Sequence, residues 1–206
     1  MIKNIIFDLG GVIITISQEE AVQRFKELGL KNAESHLNQY TQSGIFGDLE
    51  IGKITAEEFR DELSILVKRE LTYDECKYAW LGYRKELPLR NLTILKRLKN
   101  EGFRIILLSN TNPYMMNWAD SKEFDGYGHS LSYYFDATYR SYEVKFMKPD
   151  KRFFQYVLSS EQIRPEETLF IDDGTRNVEA AKELGIRTFC PKNGADWTKD
   201  IYNYLK

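Results

Sequence analysis

Short apolar runs that stop abruptly at polar residues alternate with longer amphipathic stretches along most of this 206-residue chain. Residues 3–7, KNIIF, are the first such run; Asp8 and a pair of glycines follow, and the pattern predicts a buried strand. FRIILLSN (103–110), FDATYRS (135–141), TLFIDD (168–173) and IRTFC (186–190) read the same way. Helical periodicity appears in LRNLTILKRLKNEG after Pro88, closing on Gly102, and in KRFFQYVLSS after Pro149 and Asp150. A third helix is expected over TRNVEAAKELG (175–185), stopped by Gly185. Buried strands alternating with helices specify an α/β fold, a parallel sheet covered by helices on both faces.

The stretch from Ser17 to about Tyr83 is different, because it carries helical signals only. Ser17 with Glu20, Thr55 with Glu58 and Thr72 with Glu75 each set a hydroxyl three residues before a Glu, the pattern of a capping box. The expected organisation is therefore a core of residues 1–15 and 87–206, with a helical insertion over 16–86, which the chain length accommodates. Within the insertion, FGDLEIGKIT (46–55) reads as a polar loop flanked by glycines that offers Asp48, Glu50 and Lys53, or as a plain interhelix connection. The aromatic-rich segment 112–134 is expected to hold a helix and a loop near the active edge; Trp118, Tyr127, Tyr133 and Tyr134 read chiefly as packing.

Composition narrows the partners. A net charge of −2, with 29% charged residues, leaves no overall basic face and argues against nucleic acid. No apolar run is long enough for a membrane span and the N-terminus lacks a signal-peptide layout, so a cytoplasmic location is expected. Cys76 and Cys190 lie far apart, match no metal spacing, and read as buried or partly buried thiols of a reducing compartment. No pattern in the chain fixes an oligomeric state.

The polar strand ends carry the candidate chemistry. In open α/β sheets ligands sit beyond the carboxyl ends of the strands. Asp8, Ser109 with Asn110, Lys148 shortly after the third run, and Asp172 with Asp173 would all meet at that edge. Each alone has an ordinary role: Asp8 and Ser109–Asn110 as turn residues, Lys148 as a surface lysine, and DDGTRN as a loop in which Thr175 caps a helix. Together, three carboxylates repel one another unless a cation lies among them, and hard oxygen donors suit Mg²⁺ with a substrate phosphate. Lys148 can screen Asp8 and bind a phosphoryl oxygen, while Ser109 and Asn110 can donate to that group. Gly10 and Gly11 let backbone approach phosphate and metal. An Asp nucleophile in such company equips the site for an aspartyl-phosphate intermediate on a small phosphorylated substrate.

IIFDLGGVI, IILLSNTN, KFMKPDKRFF and LFIDDGTRNVEAAKELGI together resemble the haloacid dehalogenase-like superfamily of hydrolases. FDLGGV, LSNTN and FIDDGTRNVEAAKELGI further resemble the branch that contains bacterial α-D-glucose-1-phosphate phosphatases. The resemblance implies a Rossmann-like sheet with a small helical cap inserted after the first strand. It makes Asp8 the nucleophile and a metal ligand, the Gly10 carbonyl a second ligand and Asp173 a direct ligand. Asp172 would act in the first shell or through water, Ser109 would bind the phosphoryl group, and Lys148 would steady Asp8 and the phosphate. Asn177 stands where many members have another acid.

Gly10 departs from the pattern, since most phosphatases of this superfamily have Asp two residues after the nucleophile. General acid–base help is worth about 10²–10⁴-fold. Either a group from the cap or a metal-held water replaces it, or the leaving group needs little help. The second reading favours a sugar 1-phosphate, whose anomeric oxygen leaves more readily. Dehalogenation of a 2-haloacid on the same Asp is the same-fold rival, opposed by the Asp172–Asp173 pair. A non-catalytic protein that binds a phosphometabolite or a partner is the rival from another class.

Overall fold

The computed structural model describes residues 1–38 and 42–206. The chain enters through strand β1 (Asn4–Phe7), turns tightly over residues 8–14 and makes a short strand, β2 (Thr15–Ile16). Helices α1 (Gln18–Glu27), α2 (Ala33–His36), α3 (Ile45–Glu50), α4 (Ala56–Val67) and α5 (Tyr73–Trp80) follow. Strand β3 (Arg84–Glu86) then pairs antiparallel with β2, bringing the chain back beside its point of departure. Next come α6 (Leu89–Asn100), β4 (Arg104–Ser109), α7 (Pro113–Ala119), β5 (Ala137–Arg140) and α8 (Ser141–Val144). Finally α9 (Lys151–Glu161), β6 (Thr168–Ile171), α10 (Thr175–Lys182) and β7 (Arg187–Phe189) complete the fold.

The main sheet has the order β5-β4-β1-β6-β7, and every pairing in it is parallel. All four residues of β1 and of β6 are buried, which explains why they read as continuous apolar runs. Their alternation feeds two separate cores. Ile6, Ile106 and Phe170 face α9 and α10 through Phe153, Phe154 and Ala181. Ile5, Phe7, Leu107 and Ile171 face the other way, toward α6, α7 and the C-terminal Trp197, in a core that continues into the helices between β2 and β3. Those helices pack around an aromatic cluster in which Phe46 touches Phe25 and Phe59 edge-on and Trp80 at a tilt.

Several local expectations are refined. Thr55–Glu58 and Thr72–Glu75 are complete capping boxes, but Ser17 makes only its own half: it accepts from the Glu20 N–H, while the Glu20 carboxylate pairs with Arg24 instead. Segment 46–55 is not a loop throughout, because residues 46–50 lie in α3, whose buried Phe46, Leu49 and Glu50 share one helical face. Gly174, not Thr175, caps α10. The β2–β3 pair has no counterpart in the sequence reading: β3 is three exposed charged residues and shows no apolar alternation. Cys76 is buried as expected, but Cys190 is exposed, since β7 ends beside it at the sheet edge. Among the described residues no helix is long and apolar enough to cross a membrane.

Candidate active site

Because β1 lies between β4 and β6, the carboxyl ends of these three strands open side by side, where the chain order reverses. Asp8 leaves β1 with its N–H still bonded to the Ile171 carbonyl at 2.9 Å. Its Oδ1 accepts from the Leu9 N–H at 2.7 Å and pairs with Lys148 Nζ at 2.8 Å. The turn that follows is closed by Gly11 N–H to Ile14 O at 2.7 Å. Gly11 has φ +79°, and a Cβ there would overlap the Asp173 carboxylate, so this position demands glycine on two counts.

Lys148 is almost wholly buried and makes three hydrogen bonds: to Asp8, to Asp172 Oδ2 at 2.7 Å and to the Leu108 carbonyl at 2.9 Å. An ammonium has three protons, so its donors are all engaged. Asn110 clamps the same residue by its backbone, donating to Lys148 O and accepting from Lys148 N, both at 2.9 Å. Of the two roles expected for Lys148, its three donors are engaged as screening Asp8 would require, with none left aimed at a phosphoryl group; Asn110 Nδ2, expected to donate to that group, bonds the Lys148 carbonyl instead.

The two acids after β6 differ sharply. Asp172 accepts from Lys148, from the Gly174 N–H at 2.7 Å and from Asn177 Nδ2 at 3.0 and 3.1 Å, one bond to each of its oxygens. Asn177 thus supplies donors where a further acid would repel, a role that only the fold reveals. Asp173 lines the cavity beside Asp8; Asp172 does not. Oxygens of Asp8, Asp172 and Asp173 all lie within 4.8 Å of one another. Burial pushes the Asp8 carboxyl above the usual range; Lys148 opposes this, and Asp172 and Asp173 add to it. Burial works against the Lys148 charge, yet Asp172 and Asp8 outweigh it and hold the ammonium above its ordinary value. Crowded hard oxygens bridged by a single lysine are a donor set that fits Mg²⁺.

The cavity above this floor has a volume of ≈ 90 Å³. Gly10 and Ser109 line it from the sheet side, and Asn112 and Met115 from α7 and its cap. Glu50, Trp80 and Tyr83 line it from the helical insertion. Of the three polar residues offered by segment 46–55, the structure brings Glu50 alone to the cavity; Asp48 and Lys53 form an exposed ion pair at 2.9 Å. Glu50 is buried, and burial pushes its carboxyl up to about 8. Trp80 Nε1 and Asn112 Nδ2 are also buried and have no hydrogen-bond partner among the described residues. Within 112–134, Trp118 and Tyr134 are buried in packing, whereas Tyr127 and Tyr133 are exposed.

Acids end the central strands β1 and β6 of a parallel sheet, and Lys148 reaches them from the segment between α8 and α9; comparison with known proteins names the class of α/β protein to which the chain belongs. Residues 2–185 match the haloacid dehalogenase-like hydrolase family, and the chain belongs to that family. It is 47% identical to the D-ribitol-5-phosphate phosphatase of Bacteroides thetaiotaomicron, over 98% of this chain and 97% of that protein. A predicted HAD-like family hydrolase from Porphyromonas gingivalis superposes with a TM-score of 0.95 at 41% identity, covering 100% of this chain and 98% of that one. A HAD family enzyme from Bacteroides thetaiotaomicron, solved in complex with magnesium and inorganic phosphate, superposes with a TM-score of 0.88 at 37% identity, covering 97% and 98%.

Proposed function

We propose that the chain hydrolyses the monophosphate of a small polyol or sugar, with Mg²⁺, through a phosphoryl group carried transiently on Asp8. The chain is a HAD-type phosphatase, a hydrolase of phosphoric monoesters. The observation that carries the reading is the placement of Asp8, Lys148 and Asp173 around a small cavity that Glu50, Trp80 and Tyr83 line from the helical insertion. Residues 16–86 act as the cap in this reading and enclose the substrate.

Asp8, Asp173 and the Gly10 carbonyl would hold the metal, which supplies positive charge to the phosphoryl oxygens. Asp8 Oδ1 is held by Leu9 and Lys148, whereas Oδ2 accepts no hydrogen bond among the described residues and is the oxygen positioned to attack phosphorus. Asp172 and Asn110 keep Lys148 in place, and Ser109 Oγ, buried at the cavity wall and donating here to the Asn110 carbonyl at 3.3 Å, would turn its proton to the phosphoryl group.

Two ester types compete for this site. Gly10 favours a sugar 1-phosphate, whose leaving oxygen needs little protonation. A cavity with a buried carboxyl group, and a relative named for a phosphate on a primary alcohol, favour the primary ester of a polyol. We take the second. Phosphate release from ribitol 5-phosphate, ribose 5-phosphate and glucose 1-phosphate, with Mg²⁺ and with EDTA, tests the assignment. Mg²⁺-dependent release, greatest from a primary ester and abolished by Asp8→Asn, is expected. Release from none of them would overturn the reading.

A further inference from the structure

We propose that Glu50, from the cap helix α3, is the catalytic acid and base of this site. The inference rests on the phosphatase reading and says where its proton comes from. Cleaving a primary phosphate ester leaves a strongly basic alkoxide unless a proton reaches it in the transition state. Among the described residues lining the cavity, the groups able to exchange a proton are Asp8, Glu50, Tyr83, Lys148 and Asp173. Asp8 is the nucleophile and Asp173 belongs to the metal. Lys148 has all three donors engaged. The Tyr83 hydroxyl is tied to Asn38 O at 2.9 Å and Gln42 Oε1 at 3.1 Å, and burial, with Glu50 beside it, raises its pKa further. Glu50 remains. It is 93% buried, from a residual exposure of 7%, and its carboxyl has no hydrogen bond or ion pair among the described residues.

Its backbone is pinned to the segment that follows Ser109. Ser141 Oγ donates to the Glu50 carbonyl at 2.6 Å and accepts from the Thr111 N–H at 3.0 Å. That single buried hydroxyl couples the end of α3 to the segment that begins at Ser109. The neighbouring turn is held as well: Lys145 Nζ bonds the Gly52 carbonyl, and a Cβ at Gly52 would overlap the Tyr142 carbonyl. The helical pattern that buries Phe46 and Leu49 in the cap core therefore delivers Glu50 to the seam between cap and sheet. With burial holding its proton to about pH 8, Glu50 is a protonated acid at neutral pH.

The steps balance without a further reagent. Asp8 Oδ2 forms a bond to phosphorus as the ester P–O bond breaks; the released pair goes to the ester oxygen, which takes the Glu50 proton and leaves as the alcohol. A water then attacks phosphorus, Glu50 recovers a proton from it, and the Asp8–phosphorus bond breaks to give inorganic phosphate and free Asp8.

Glu50→Gln keeps the shape and removes the proton. On ribitol 5-phosphate, kcat/KM is expected to fall by about 10²–10⁴-fold. On p-nitrophenyl phosphate, whose leaving group is a weak base, kcat/KM changes little, and the variant gives a burst of nitrophenolate because hydrolysis of the phosphoenzyme is slowed. Wild-type kcat/KM on the alkyl ester falls above about pH 8, and that limb is absent in the variant. The titratable groups that line the cavity with Glu50 are Tyr83, whose pKa it raises, and Asp8, Lys148 and Asp173. Equal loss on both substrates, or no loss on either, overturns the proposal; a wild type inactive on both sinks the phosphatase reading with it.

Discussion

At Lys148 three acceptors, Asp8 Oδ1, Asp172 Oδ2 and the Leu108 carbonyl, converge on one ammonium at 2.7–2.9 Å. The residue compensates buried acids, the same acids to which the proposed mechanism gives the chemistry. Lys148→Met keeps the apolar stem and leaves those acids without it. Breaking a buried pair from one side costs about 3–5 kcal/mol. Urea denaturation without metal should show that loss, shrinking as the pH falls and the carboxyls take up protons, and phosphatase activity should vanish. Glu50 presents the opposite sign. Its folded carboxyl titrates near 8 against an ordinary 4.5, so the folded state retains a proton that the unfolded chain has lost. Stability is thus highest below about pH 4.5 with respect to this group, declines as pH rises toward 8, and is level beyond it. At about 1.4 kcal/mol per unit, Glu50→Gln should gain a few kcal/mol at most over wild type between pH 5 and pH 9. Thermal denaturation at the two pH values checks it; a parallel pH dependence in both proteins would contradict the burial argument.

The turn after β1 shows how one element fixes another. Gly11 has a positive φ and sits against the Asp173 carboxylate, so Gly11→Ala must strain the turn and displace that acid together. The expected outcome is at least a ten-fold rise in the Mg²⁺ concentration needed for half-maximal activity, with little change in far-UV dichroism, read by metal titration. The two glycines are legible in the sequence as room for close approach, although the neighbour they make room for is not. Polar residues at the ends of β1, β4 and β6 are equally legible, because an apolar run that stops at an acid or hydroxyl is a local signal. Strands β2 and β3 leave no such trace: two and three residues long, they are specified by where the helical insertion starts and ends rather than by their own pattern. In α3 the signal is present but masked. Phe46, Leu49 and Glu50 have helical spacing, yet Gly44, Gly47 and Gly52 make the stretch read as a loop. Which of Asp48, Glu50 and Lys53 lines the cavity depends on helix phase, and the glycines hide that phase.

Over the whole molecule, two cores and one seam divide stability from function. The face of the sheet toward α9 and α10 is sealed by Phe153, Phe154 and Phe170, and it touches the site where the centre of the Phe170 ring lies 5.6 Å from Lys148 Nζ. The other core runs from the sheet into the helices of the insertion, so insertion and sheet are braced by shared packing while residues of both line the cavity. Carboxylates of Asp8, Asp172 and Asp173 lie within 4.8 Å of one another at that meeting point, and the fold retains this crowding against its own stability. A divalent cation that binds only the folded chain reverses the balance. At a hundred times its dissociation constant it adds about 2.7 kcal/mol. Asp173→Asn removes one of the crowded charges and one ligand, so its effect must change sign with metal. In EDTA the variant is expected to melt above wild type, since less repulsion is folded in. In millimolar Mg²⁺ wild type should rise past it, because the amide is a poorer ligand and forfeits most of the binding term. Calorimetry of the two proteins in both buffers reads the crossing directly. Melting curves that keep the same order in EDTA and in Mg²⁺ would show that Asp173 does not couple the metal to the fold.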